Sequence, residues 1–315
     1  MNTAVATALD RLIENYREGL FSRREFFQRL AYLTGSIMLA HEIMLDSGFA
    51  AEWEIYNWPD PPAQQAQAAP SPKESIAAGE QRLPAQVQAE WVKYPSGDVQ
   101  VGGYLARPKA GKEFASIIVI HENRGLTEFV LDIAQRWAGE GLLALAPDLL
   151  SRAGGSSSFA TMQEAGQGIS KLVRADVVAD LHATVKYLKS RKDVKEKKIG
   201  VSGFCWGGAN TFNFATESKE LLFAAPFYGR APEMEKLANI SCPVFAIYAE
   251  QDQGVNANLE EVEAKMKELG KTYTRKMYPG TQHAFMNFTS PQRYNAEQAK
   301  AAWADVTAFV KKTIA

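Results

Sequence analysis

Cysteine is scarce in this chain. Its two cysteines, Cys205 and Cys242, cannot make a disulfide framework or a zinc pattern. Histidine is scarce too: His41, His121, His182 and His283 stand far apart, none at metal-ligand spacing, so no metal is expected. Charge of one sign is missing: 35 Lys and Arg against 36 Asp and Glu leave a net charge of −1, which gives no electrostatic case for nucleic acid or an anionic membrane. No uninterrupted apolar run reaches the roughly 18 residues that a spanning helix needs, so no membrane partner is expected.

What is present is ordinary globular material. The chain has 315 residues, 46% apolar and 23% charged, enough for a sizeable core in one or two domains.

The first 85 residues differ from the rest. Residues 1–50 read as two helices, the second starting near Ser22 as its N-cap. Pro59-Asp60-Pro61-Pro62, a Gln/Ala stretch and Pro70-Ser71-Pro72 then predict an extended connector, because proline at that density prevents continuous helix. Trp53, Tyr56 and Trp58 suit packing on the chain's own domain or on a partner subunit, so a homo-oligomer through this extension is one expectation.

Ser22-Arg23-Arg24-Glu25-Phe26-Phe27, followed by the apolar run Leu30 to Ala40, has the pattern of a twin-arginine export signal. His41 and Glu42 interrupt that run, and no small-x-small cleavage site follows. Phe26, Leu30, Leu33 and Ile37 instead recur at helical steps, which favours an amphipathic helix in a cytoplasmic protein over an exported, periplasmic one.

From residue 86 to 315 a regular alternation predicts one α/β domain. Val87 to Tyr94 and Val99 to Arg107 flank a Pro-Ser-Gly-Asp turn and predict a hairpin. Ala115 to Ile120 and Leu142 to Ala146 are apolar runs typical of strands buried on both faces. Leu126 to Glu140 has helical spacing and ends at Gly141, a suitable left-handed cap. A Gly/Ser-rich loop, Ser151 to Ser158, precedes a long helical stretch to about Arg191. Lys198 to Val201, Phe223 to Tyr228, Val244 to Ala249 and Thr272 to Tyr278 predict further strands, and a terminal helix starts near Gln292. Such alternation implies a mostly parallel sheet with helices on both faces, whose ligands bind beyond the carboxyl ends of the strands.

The loops at those ends carry the chemistry. Gly203-Phe204-Cys205-Trp206-Gly207-Gly208 follows one strand and opens a helix, Ala209 to Thr216. This is the Gly-x-nucleophile-x-Gly elbow with cysteine in place of serine, where the glycines give room for a tight turn and the helix N-terminus favours an anion. The competing reading is a buried cysteine in a glycine-rich turn.

The partners follow in the order nucleophile, acid, base. Asp252 lies just past the strand Val244 to Ala249, with Glu250 as the rival acid. His283, after the strand ending at Tyr278, is the only histidine downstream of Cys205. The acid's task would be to hold the imidazole in its tautomer.

Glu122, after the strand ending at Ile120, would meet the thiol or a substrate, or else pair with Arg124. The backbone N–H groups of Asn123 and Trp206 are placed for an oxyanion hole. Arg124, Tyr228 and Arg293 are candidate pocket residues, with Trp206 beside them. His121 faces the same end, His182 lies inside a helix as a packing or surface residue, and Cys242 starts a strand on the opposite rim from Cys205.

These motifs, across residues 86–315, resemble the dienelactone hydrolase (carboxymethylenebutenolidase) family. The elbow looks like the family's Gly-x-Cys-x-Gly-Gly, Glu122 in Ile120-His121-Glu122-Asn123-Arg124-Gly125 matches its glutamate, and Asp252 and His283-Ala284-Phe285 match the remaining segments. The resemblance implies an α/β-hydrolase domain without a cofactor, acting on a small ester or lactone through a Cys205–His283–Asp252 triad and a thioester. It also implies that Glu122 holds the resting thiol and gives way when substrate binds. The family's dienelactone-specific members clamp a substrate carboxylate with arginines, one shortly after the triad histidine; Met286-Asn287 stands there in this chain, and the nearest arginine is Arg293. The competing functions are a broader carboxylesterase or thioesterase, a binding protein without turnover, and a redox sensor built on Cys205, the last weakened by the lack of a resolving cysteine.

Overall fold

Four segments are apolar at almost every position, and each forms a strand covered on both faces. They are β3 (Phe114–Ile120), β4 (Leu143–Pro147), β6 (Phe223–Phe227) and β7 (Val244–Ala249). The hairpin strands β1 (Val87–Ser96) and β2 (Val99–Pro108) turn at Gly97, which takes φ +61°. With β5 (Val194–Phe204) and β8 (Tyr273–Tyr278) they make an eight-stranded sheet of order β1-β2-β4-β3-β5-β6-β7-β8. β2 runs antiparallel to β1 and to β4, and the other pairings are parallel.

The structure, a computed structural model, describes residues 69–315, and Ala69–Ala315 form one compact unit. The helices read over residues 1–50, the Ser22 cap, the twin-arginine-like segment, Trp53, Tyr56, Trp58 and the connector up to residue 68 lie outside the described residues.

Helices cover both faces of the sheet. α2 (Glu128–Gly139) and α8 (Ala296–Ile314) bring Ile133, Trp137, Val306 and Val310 onto Phe223, Phe245 and Ile247. α4 (Arg174–Ser190), α5 (Trp206–Glu217) and α7 (Leu259–Glu268) bring Leu181, Val185, Phe212, Val262 and Met266 onto Ile118, Val201 and Val244. Each fully buried side chain of this size contributes about 1.5–3 kcal/mol of transfer free energy, so these two layers hold the sheet.

The helix Leu259–Glu268 was not expected from the sequence, and four further elements differ from expectation, each for a local reason. The proline-containing stretch after residue 70 forms α1 (Pro72–Gln81): Pro72 occupies the first turn, where no N–H is needed, and Ser71 and Glu74 make a capping box. The stretch up to Arg191 is two helices, α3 (Met162–Ser170) and α4, because Val173 adopts an extended conformation between them. β5 starts earlier than expected, its charged first half pairing with β3 through Phe114 and Val194 across a register shift. The terminal helix starts at Ala296, not near Gln292, with the Asn295 side chain accepting from the Gln298 N–H. Gly141 stands just past α2 with φ +96°, in the role its position predicts.

The chain leaves β3 for β4 on one side and returns to β5 on the other. The sheet therefore has a topological switch at β3 and β5, and a crevice beyond their carboxyl ends. Residues 121–127 and the elbow at Cys205 emerge there.

Candidate active site

At the end of β5 the backbone turns sharply into α5, and Cys205 sits at that turn with φ 58° and ψ −116°. A conformation this unfavourable for a side-chain-bearing residue costs on the order of 1–3 kcal/mol and persists only when its surroundings impose it. The Cys205 N–H donates to Phe227 O at 3.1 Å, and Cys205 O accepts from the Ala209 N–H at 3.0 Å. The three elbow glycines are required by contact. A Cβ on Gly203 would lie 2.4 Å from Gly207 O, one on Gly207 2.3 Å from His121 O, and one on Gly208 2.2 Å from Phe227 O. Alternatives with any side chain would push the elbow off β3 and β6.

The acid and base come from the next two strands outward. Asp252 follows β7 at the start of the short helix α6 (Gln253–Asn256), where its side chain makes no cap bond. Its Oδ2 instead lies 2.5 Å from Nδ1 of His283, in the loop after β8. Burial acts to lower the His283 pKa, but the bond to Asp252 and the influence of Cys205 outweigh it and raise the imidazole to about 10. Glu250 is engaged elsewhere: it is exposed, and its Oε2 accepts from the Gly280 N–H at 2.8 Å.

Glu122 is buried at the end of β3. Its Oε2 accepts from Asn287 Nδ2 at 2.6 Å and its Oε1 from the Tyr228 hydroxyl at 3.4 Å. Burial raises its pKa, while these bonds and the charges of His283 and Arg293 work the other way. Asn287 is fixed in turn, since its Oδ1 accepts from both the N–H and the hydroxyl of Thr289.

Tyr228, with φ 37°, is fully buried, and its ring stands 5.2 Å from that of His283. Burial first, then Glu122 and Cys205, hold its hydroxyl well above the ordinary tyrosine pKa. Cys205, Asp252, His283, Glu122 and Tyr228 thus come together, although four different loops and a strand end supply them.

The remaining sequence candidates are arranged less centrally. Arg124 makes no ion pair with Glu122. It is exposed, donates to Asn123 O at 3.4 Å and leans on Gly166 of α3. Arg293 is also exposed, close enough for its charge to act on Glu122. The N–H groups of Asn123 and Trp206 donate to no other group among the described residues. His182 packs edge-on against Phe214, with ring centroids 5.0 Å apart. Cys242 is a free, buried thiol whose pKa burial pushes up to about 11.

Sequence reasoning missed the partner of Glu122. Asn287 follows His283 by four residues, and nothing along the sequence marks it as a partner of Glu122. No helix among the described residues is long and apolar enough to cross a membrane.

A mixed, mostly parallel sheet between two helical layers, with these residues beyond its strand ends, defines an α/β-hydrolase. The chain belongs to the dienelactone hydrolase family, whose model matches residues 101–314. It is 35% identical to Protein usf of Aquifex pyrophilus, over 71% of this chain and 98% of that protein. It is 32% identical to a provisionally named carboxymethylenebutenolidase of Methylorubrum extorquens, over 67% of this chain and 77% of that one. Among solved structures, a provisionally named dienelactone hydrolase from Klebsiella pneumoniae matches with a TM-score of 0.65 and 27% identity, over 71% of this chain and 98% of that one. A dienelactone hydrolase-like promiscuous phosphotriesterase from metagenomic libraries shares the fold, with a TM-score of 0.64 and 19% identity over 73% and 99% of the two chains.

Proposed function

We propose that this member of the family hydrolyses a small ester or lactone by acyl transfer to Cys205. The observation that carries the proposal is the strained Cys205 elbow facing a His283–Asp252 pair at 2.5 Å. A strained, half-buried nucleophile beside an oriented base is the arrangement that acyl transfer needs.

In the first half-reaction the Cys205 thiol gives its proton to Nε2 of His283, Sγ attacks the carbonyl carbon, and the carbonyl π electrons move to oxygen. The Asn123 and Trp206 N–H groups receive that oxyanion. His283 carries a proton through the neutral range, since its pKa is raised to about 10. It gives this proton to the leaving oxygen as the C–O bond breaks, and the thioester remains. Water then loses a proton to His283 and attacks the thioester carbonyl, the C–S bond breaks, and the acid is released. Asp252, on Nδ1, leaves Nε2 of His283 as the nitrogen that works on thiol, leaving group and water. Glu122 holds Tyr228 and Asn287 around the pocket, with Arg124 and Arg293 at its exposed margin.

A broader carboxylesterase or thioesterase specificity is favoured over a strict dienelactone one by a specific observation. Asn287 commits its amide to Glu122 and Thr289 and offers no cation to a substrate carboxylate. The test is turnover of p-nitrophenyl acetate and of a dienelactone by wild type, Cys205→Ala and Cys205→Ser. Turnover that vanishes in the alanine variant supports the proposal. Equal turnover in wild type and Cys205→Ala overturns it.

A further inference from the structure

His121 is fully buried directly after β3, beside Glu122, and has no part in the proton transfers just described. We infer that His121 is a positioning residue for the oxyanion site, holding the Glu122–Asn123 peptide and the Trp206 indole at once so that two backbone N–H groups converge on one oxygen. The inference rests on the proposed acyl transfer and assigns a role outside the triad.

The tautomer follows from its partners. Leu149 N–H donates to Nε2 at 3.3 Å, so Nε2 carries no hydrogen. Nδ1 therefore carries it and donates to the Glu122 carbonyl at 2.7 Å. That carbonyl and the Asn123 N–H are the two ends of one planar peptide unit. Fixing the oxygen fixes the direction of the N–H, and a donor on the carbonyl polarises the same unit.

The other face of the imidazole carries the second donor. The ring stacks on Trp206 with centroids 5.4 Å apart and planes 11° from parallel. Trp206 is the first residue of α5, so its N–H is among those a helix leaves unpaired. Gly207, the next residue, packs so closely on His121 O that a Cβ would come within 2.3 Å of it. One side chain thus links the end of β3 to the start of α5.

Its acceptor side is anchored from β4. Asp148 Oδ1 accepts from the Leu150 N–H at 3.2 Å and the Ser156 hydroxyl at 2.7 Å, and its Oδ2 from the Ser156 N–H at 2.7 Å. Ser156 Oγ accepts from the Leu126 N–H at 2.8 Å, which ties the loop after β4 to the loop after β3. A buried histidine that merely fills space would need neither hydrogen bond, so shape and hydrogen bonding can be separated by substitution.

His121→Asn keeps an amide N–H near the Nδ1 position, His121→Gln moves the amide to the Nε2 position, and His121→Leu keeps bulk alone. Three quantities are measured on each: kcat and KM for p-nitrophenyl acetate, affinity for a trifluoromethyl ketone that adds to the thiol and needs the oxyanion site, and the rate at which iodoacetamide alkylates Cys205, which does not need it. One oxyanion donor is worth about 100-fold to 1000-fold in kcat. The expected result is a kcat about 100-fold lower in His121→Leu, matching loss of ketone affinity, little change in KM or alkylation rate, and substantial recovery in His121→Asn but not in His121→Gln. Unchanged kcat in His121→Leu, a parallel fall in alkylation, or no advantage of asparagine over glutamine would overturn the inference. If His121→Leu does not fold, the asparagine–glutamine comparison decides alone. If the wild type itself forms no ketone adduct on Cys205, the acyl-transfer proposal fails instead, so the two failures are distinct.

Discussion

Asp252 and His283 meet at 2.5 Å although 31 residues separate them in the chain, because β7 and β8 are neighbours and each residue lies just past the carboxyl end of its strand. The contact fixes the imidazole with Nδ1 toward the carboxylate. Asp252→Asn should preserve the fold and lower kcat by about 1000-fold to 10,000-fold, since an amide offers the wrong hydrogen-bond pattern to the required tautomer. Glu250→Gln, whose carboxylate is bound to Gly280 N–H, should change kcat less than about threefold, at the scale of an exposed substitution. Steady-state kinetics on one ester checks both.

The His283 imidazole supplies a pH signature in stability. Folding raises its pKa from the ordinary 6.5 to about 10, so the folded state binds this proton more tightly than the unfolded state. The resulting stabilisation is complete below pH 6.5 and is lost as pH rises from there through about 10. Urea unfolding between pH 6 and 10.5 should show a steeper decline for wild type than for His283→Gln. Parallel curves would contradict this.

Glu122 has the same sign in a more acidic range, for a different reason. Burial raises its pKa, so its ionised form costs stability that grows as pH rises above the ordinary 4.5. Asn287 offsets part of that cost with a 2.6 Å bond. Asn287→Ala should destabilise by about 1–3 kcal/mol. The loss should be larger at pH 7 than at pH 5, because only the carboxylate needs the lost donor so strongly. Equilibrium unfolding at the two pH values measures it.

Two glycines separate close approach from backbone strain. Gly207→Ala puts a Cβ 2.3 Å from His121 O and 2.4 Å from Ile120 O, both main-chain atoms. It should cost about 3 kcal/mol or more and remove activity together with stability. Gly280→Ala meets nothing within 4 Å but keeps φ +67°, so it should cost about 1 kcal/mol and leave kcat nearly intact. Thermal unfolding and kinetics on the same two variants make the comparison.

The strands were legible where burial on both faces leaves only apolar residues, as in Val244–Ala249, whose limits match the sequence expectation residue for residue. The elbow was legible because its glycines are dictated by contacts within 2.2–2.4 Å. The gap between α3 and α4 was not, since Val173 carries no breaker signal and its extended backbone is a tertiary outcome. β5 was read too short because the charged stretch Lys195 to Lys197 carries no apolar strand signal, yet the strand continues through it to Val194, which pairs with Phe114 of β3 across a register shift. Among the candidate site residues, the placing of Asp252 and His283 past neighbouring strand ends followed from chain order. The pairing of Glu122 with Asn287 did not, because 165 residues separate them and only folding brings them together. The sequence offered Glu122 the Cys205 thiol or a substrate, with Arg124 as the alternative, but the end of β3 buries the carboxylate against Asn287 and Tyr228 and leaves the guanidinium outside.

The most direct measurement on the central claim is intact-mass spectrometry of the protein quenched during turnover of p-nitrophenyl acetate, with peptide mapping of the adduct. The expected result is a single acetyl group on Cys205 that accumulates further in His283→Gln, is absent in Cys205→Ala, and disappears on dilution into buffer. Turnover without any adduct on Cys205, or an acetyl group on another residue that is competent to turn over, would contradict it.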